Sequence, residues 1–351
     1  MDRGDRMRPA AGGLRAVRRV VLLAIAAALL VPSAAHATFP GQNGKITFWT
    51  PGAPVTINPD GTGRTELPRV GDLPAWSPDG SRLAFAPCYS SSFESNRLCT
   101  TDANGGDLRR IPGTPRDPAW PSWAPSGDKL VFKHEACTAT FCSLSGIVTV
   151  NLDGSGRTVL DHDGSQPDWS PDGRKIVFYR YYPQGPSDYA DLFVINRDGT
   201  GLTQLTGVEQ PYESAPSWSP DGTKIAYMGT AAGERLDKLH VFVINADGTG
   251  RIQLTFDDGV GNEGNPVWSP DGRKIAYEDE RGINVMNADG TGQTFLASGR
   301  TADWQAIPGP RRSDYKNAAH FCHAERDFWG EDFAERYGGG ANAYGKCVSG
   351  K

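Results

Sequence analysis

The chain has no G-x-S-x-G nucleophile elbow and no H-E-x-x-H zinc motif, so two familiar signatures of hydrolytic catalysis are missing. Histidine is scarce at six residues. Only His134, His162, His240, His320 and His323 lie beyond the N-terminal leader, and only the last two are near each other. No apolar run reaches the ~20 residues of a bilayer-spanning helix; the longest extends from Val20 to Val31. There is no basic stripe, which disfavours nucleic acid and anionic membrane surfaces as partners. No sequence feature calls for a cofactor or a metal, and no catalytic set can be assembled. The expectation is a non-enzymatic protein.

What is present begins with an address. Arg15, Arg18 and Arg19 precede the apolar run, and Ala35-His36-Ala37 offers a small-residue cleavage site, so residues 1–37 read as a signal peptide. No cysteine sits at the cleavage point to carry a lipid. The paired Arg18-Arg19 allow a twin-arginine route as well as the general one. Removing the leader, with its six arginines and two aspartates, leaves a net charge of about −9 on an otherwise ordinary soluble surface. All six cysteines lie in the exported part, which suits an oxidising compartment. Their local spacing suggests the pairs Cys88–Cys99, Cys137–Cys142 and Cys322–Cys347, among about 15 arithmetically possible pairings. His134 near Cys137 and Cys142 raises a metal site as the alternative. No second matched pair is evident, so disulfides are preferred.

The body of the chain is a repeat. Trp169-Ser170-Pro171-Asp172-Gly173 has counterparts starting at Trp76, Trp123, Trp218 and Trp268, the second reading W-A-P-S-G. The copies lie roughly 46–50 residues apart, the spacing of β-propeller blades. In each turn the proline presets φ near −65° and the glycine supplies a positive φ, so the chain reverses. The segments that follow, such as Ile176-Val177-Phe178, are apolar without alternation, which implies sheets covered on both faces. A second unit, Asn196-Arg197-Asp198-Gly199-Thr200-Gly201, recurs with Asp-Gly turns at Asp60, Asp153, Asp247 and Asp289 and with Asn104-Gly105 standing in once. Each repeat therefore holds four short strands. The stretch from Ile46 to Leu67 lacks a leading strand, whereas Ala302-Asp303-Trp304 is a leading strand with nothing after it. Together they complete a sixth blade and close the ring, removing its open edges.

These motifs resemble the TolB-like, WD40-like propellers of bacterial envelopes, marked by W-S-P-D-G-x-x-I-A-F and N-x-D-G-T-G. The resemblance covers roughly Lys45 to Pro308 and implies an all-β, six-bladed propeller over residues 38–309. TolB itself has an α/β domain before its propeller, and here only Thr38 to Gly44 precede the first blade. Its lipoprotein partnership is therefore not carried over, and such propellers host many tasks.

Strand alternation puts the W-S-P-D-G and N-x-D-G-T-G turns at one end of the ring. Their uniformity reads as framework. The opposite end collects irregular loops: Cys88–Cys99, Cys137–Cys142, Tyr179–Ala190, Gly207–Ala215, Met228–Leu239 and Phe256–Asn265. Variable loops on a rigid scaffold are where binding concentrates. Tyr179, Tyr181, Tyr182 and Tyr189 are the candidate contact residues, unless they pack between blades. Asp168 and Asp303, each just before a Trp, are candidates to line the channel, where a carboxylate pair can hold a cation or do acid/base work; hydrogen-bonded structural roles compete. The acidic loop from Phe256 to Asn265 lacks calcium-loop spacing.

Beyond Pro310 the composition shifts. Residues 310–351 are expected to form a short helical extension, with a helix starting near Tyr315, capped by Ser313 or Asp314 and stopped by Gly330. A Cys322–Cys347 bridge would staple it. The functional expectation is an exported, monomeric recognition propeller that binds a protein or cell-envelope polysaccharide through its loop-bearing face. The alternative is a carbohydrate-active or hydrolytic enzyme with its site at the channel mouth.

Overall fold

The computed structural model describes residues 39–89, 97–114, 116–137, 142–182, 189–207, 212–234, 238–256, 261–338 and 342–350. The leader lies outside them, and so do parts of every irregular loop named above. Six four-stranded antiparallel sheets are present. Five are consecutive in the chain. The sixth is composite, with Arg300–Ile307 innermost, then Gln42–Trp49, Val55–Ile57 and Thr65–Glu66. Ile46 pairs with Trp304 and Thr47 with Asp303, so the chain ends lock the ring as the repeat count requires. Innermost strands of successive blades touch in cyclic order.

The core lies between blades. Trp218 packs with Val177, Leu192, Ile225 and Tyr227 from its own and the preceding sheet, and Trp304 does the same with Val267, Ile283, Ile46 and Phe48. The unalternating strands are apolar on both faces for this reason. The turns hold themselves. Ser170 Oγ donates to Asp172 Oδ1 at 2.7 Å and accepts from the Lys175 N–H at 2.9 Å. In the second unit Asn196 Nδ2 donates to Thr200 Oγ1 at 3.1 Å, and Thr200 donates to Asp198 Oδ1 from both N–H and hydroxyl at 3.0 and 2.7 Å. These bonds hold the Asp198 carboxyl below its usual range. Gly199 has φ 84°, the left-handed region that a hairpin of this type demands. The recurrent Asp is thus turn chemistry.

Cys88–Cys99 and Cys322–Cys347 are bridged, with Cα separations of 6.0 and 5.9 Å. Cys137 and Cys142 face each other in strand register, but their side chains lie outside the described residues. The extension comprises α1 (Ala318–Trp329), α2 (Asp332–Arg336) and α3 (Ala343–Ser349). Its first cap differs from expectation. Ser313 and Asp314 sit in a 3-10 turn, and Asn317 caps α1 by accepting from the His320 N–H at 2.9 Å. Asn is as good a cap as either, and the helix starts at Ala318, not near Tyr315. Gly330 ends it with φ 57°. The extension docks on the uniform-turn end of the ring: Arg273, beside the Ser269-Pro270-Asp271-Gly272 turn, holds Asp332 with two bonds of 3.0 and 2.8 Å, and Gln42 donates to the Phe328 carbonyl.

The bridge between α1 and α3 spans a separation of 25 residues, a loop whose closure is worth ~3 kcal/mol. Replacing Cys322 and Cys347 by serine is expected to remove most of the helical circular dichroism while the propeller melts as before. A shared drop in both transitions would contradict this.

Candidate functional site

The innermost strands present the same short sequence to the axis: Pro74-Ala75-Trp76, Pro121-Ser122-Trp123, Pro167-Asp168-Trp169, Pro216-Ser217-Trp218, Pro266-Val267-Trp268 and Ala302-Asp303-Trp304. The residue before each of these triplets is strained. Leu73, Trp120, Gln166, Ala215, Asn265 and Thr301 have φ between 45° and 55°, which is uncommon without glycine and an outlier for a β-branched residue. In five of the blades the strand register slips across this position. Each slip is a bulge that re-aims a side chain. Together the six residues ring the loop-bearing mouth of a central cavity of about 140 Å³. Backbone strain of this kind clusters at functional sites, which makes the rim a candidate.

Hydrogen bonds fix part of that rim. Gln166 accepts from the Ala215 N–H at 3.0 Å and donates to Asn265 at 3.4 Å, reaching from the third blade to the fifth. Asn265 donates to Glu278, which also accepts from the Thr301 N–H at 2.7 Å. Trp120 and Leu73, from the other side, are half-exposed and apolar.

One layer deeper lie Asp168 and Asp303. Asp168 accepts from Ser122 Oγ and from the Trp218 N–H, both at 2.8 Å. Asp303 accepts from the Trp76 N–H at 2.6 Å. Each therefore ties its blade to the next, as the structural reading supposes, yet both also line the cavity. They sit in the third and sixth blades and so face each other across the axis. Burial pushes Asp168 up to about 6 and Asp303 up to about 7, the latter helped by the Asp168 charge.

The other end of the channel is met by the segment that precedes the first strand. Phe39 lines the cavity and packs on the cluster containing Ala75 and Trp123. Its neighbours run along the turns: the Gly41 N–H donates to the Pro270 carbonyl at 3.4 Å, and Asn43 Nδ2 donates to Asp271 at 2.9 Å.

The tyrosines divide. Tyr181 and Tyr182 are 42 % and 40 % exposed at the loop-bearing end, while Tyr179 packs against the next blade and Tyr189 is half-buried opposite Tyr182. Phe256, on the same end, is 64 % exposed; residues 257–260 of its acidic loop lie outside the described residues.

Sequence reasoning missed two buried clusters. His240 is enclosed between Glu263, 3.1 Å from Nδ1, and Glu234, 2.9 Å from Nε2. Glu213 is fully buried with Arg251 at 3.9 Å, and burial pushes it up to about 7. Their partners come from other strands and loops, so no local spacing announced them. His320 and His323 stay on α1, and no group of three or more His, Cys, Asp or Glu suited to a metal occurs among the described residues. No helix among them is long and apolar enough to cross a membrane.

Comparison with known proteins agrees with the repeat. Residues 149–301 match the TolB beta propeller domain. Among solved structures, TolB from Acinetobacter baumannii is similar at 19 % identity and TM-score 0.60, over 77 % of this chain and 67 % of that one. A chain of a nidogen/laminin complex aligns at 11 % identity and TM-score 0.59, over 75 % and 99 %. An oligogalacturonate lyase from Vibrio parahaemolyticus gives 13 % and 0.50, over 76 % and 78 %. No curated protein matches the sequence. At these identities the likeness is one of fold, and the repeats are TolB-like propeller repeats.

Proposed function

We propose that this chain is an exported, extracytoplasmic recognition propeller that captures a protein or envelope polymer at its loop-bearing face. One observation carries the reading: the uniform-turn end holds the chain's own Phe39–Asn43 segment and helical extension, whereas the opposite end carries the strained ring of the channel mouth, with Tyr181, Tyr182 and Phe256 exposed at that end. Exposed tyrosines give large contact area at low entropic cost. The disulfides and the leader fit export to an oxidising compartment.

Replacing Tyr181 and Tyr182 together by alanine is expected to weaken partner capture by ~10-fold or more without moving the melting temperature. Alanine at Asp198 should lower the melting temperature and leave capture intact. Equal effects of the two changes on capture would overturn the reading.

An enzymatic reading retains one support, the two carboxyls of raised pKa in a single cavity. It requires turnover in a screen of polysaccharide substrates, lost with Asp168→Asn or Asp303→Asn.

A further inference from the structure

The channel combines features that select a kind of ligand. Its 25 lining residues include two carboxylates and no Lys, Arg or His. Between the mouth and the carboxylate layer stand five proline rings, and at the mouth Trp120 and Leu73 are apolar and accessible. Asp168 and Asp303 each keep lone pairs beyond the hydrogen bonds that link the blades. Asp303 accepts from the Trp76 N–H, and the N–H of its own neighbour Trp304 also acts on its carboxyl. It is therefore a carboxylate surrounded by protein that lines the cavity. Ser217, at the equivalent position in the fourth blade, lines the same layer.

An apolar shaft over an acidic floor complements a hydrocarbon stem that ends in a cation. From the strained ring to the carboxylate layer is two residues of strand, about 7 Å at the usual rise, which is the reach of a four-carbon stem. The volume of about 140 Å³ is close to that of a cavity that accepts one benzene. Trp120 at the entrance adds cation–π attraction as the charge passes. A divalent metal fits less well: the layer offers two carboxylates on opposite walls, and oxygen-loving cations want six or more ligands. An amino sugar carries its amine directly on the ring, so the whole pyranose would have to enter the proline-lined shaft.

We propose that the channel is a receptor for one primary ammonium group on an aliphatic stem, a lysine side chain presented by a protein partner. This rests on the recognition reading above and gives its ligand a chemistry. The tyrosines hold the partner's surface, and the channel reads one basic side chain through apolar walls and two facing carboxylates.

The test uses the full exported chain and Nα-acetyl-lysine methylamide as probe, followed by the indole N–H resonances in NMR titration. Saturable shifts in the millimolar range are expected, with the norleucine analogue at least ~10-fold weaker, since it keeps the stem and loses the charge. Asp303→Asn and Asp168→Asn should each weaken binding ~10-fold. The asparagine oxygen can still accept the backbone N–H that links the blades, and a melting temperature no lower than the parent's confirms the fold. Because the floor must be ionised, affinity should fall at least ~10-fold from pH 8 to pH 5, through the values of about 7 and about 6 for the two carboxyls. Absence of saturable binding overturns the proposal. So does tighter binding of glucosamine or of calcium ion alone at the same resonances. Partner capture lost in the Tyr181/Tyr182 variant yet unchanged in Asp303→Asn also overturns it, leaving the recognition reading in place.

Discussion

Replacing Trp304 by alanine is expected to lower the unfolding free energy by about 3–5 kcal/mol, the usual loss for a fully buried large aromatic. Trp304 is 1 % exposed and belongs to a cluster built from Ile46, Phe48, Val55, Ile57 and residues of the preceding blade. It is also the register partner of Ile46. The residue therefore joins the last strand of the chain to the first. Losing it leaves a cavity at the seam between the fifth and sixth blades, where the chain ends meet. As a control, Phe295→Ala on an exposed outer strand should fall within ~0.5 kcal/mol of the parent. Urea unfolding of the three proteins decides the matter. A Trp304→Ala loss no larger than that of Phe295→Ala would mean that the chain ends do not close the ring.

The second large effect depends on pH. Asp303 in the folded protein holds its proton up to about pH 7, against an ordinary carboxyl value near 3.8. The folded state thus keeps a proton that the unfolded chain has already released. Where the folded state binds more protons, stability falls as pH rises. The stability is greatest below about pH 4 with respect to this group and is lost progressively between about pH 4 and pH 7, at up to ~1.4 kcal/mol per pH unit. Asp303→Asn removes that dependence while preserving the shape and the acceptor for Trp76. It is expected to be more stable than the parent at pH 8 by ~2–4 kcal/mol and little different at pH 4. A parent curve as flat as that of the variant between pH 5 and 8, or a variant less stable at pH 8, would contradict the burial of this carboxyl. Asp168, pushed up to about 6, contributes in the same direction over a narrower range.

The blades were legible because their turns are chemical necessities. Ser-Pro-Asp-Gly and Asn-x-Asp-Gly-Thr-Gly specify hairpins from local residues alone, and counting the incomplete first and last units was enough to pair Ile46 with Trp304. The positions of Asp168 and Asp303 were legible as well, since both precede a repeat tryptophan. That they face each other follows only once there are six blades and they fall three apart. The strained ring was not legible. Nothing in Trp120, Gln166 or Thr301 announces a positive φ, which composition associates with glycine; the nearest signal was the proline that follows each of the first five. The burial of His240 between Glu234 and Glu263 was equally hidden, because loops of unequal length bring the two carboxylates to it. In the extension, Gly330 stopped α1 as expected, but the cap expected at Ser313 or Asp314 falls at Asn317, whose side chain serves the same purpose. The helix α3 carries Gly345 within a short run, too weak a pattern to stand out.

The division of the ring into a self-occupied end and a recognising end is tested most directly by site-specific photo-crosslinking outside the cytoplasmic membrane. A photoreactive phenylalanine placed at Tyr182 should trap the partner, and the same residue placed at Asp198, in a turn at the opposite end, should trap nothing of comparable yield. Equal trapping at both positions, or trapping at Asp198 alone, would contradict the account.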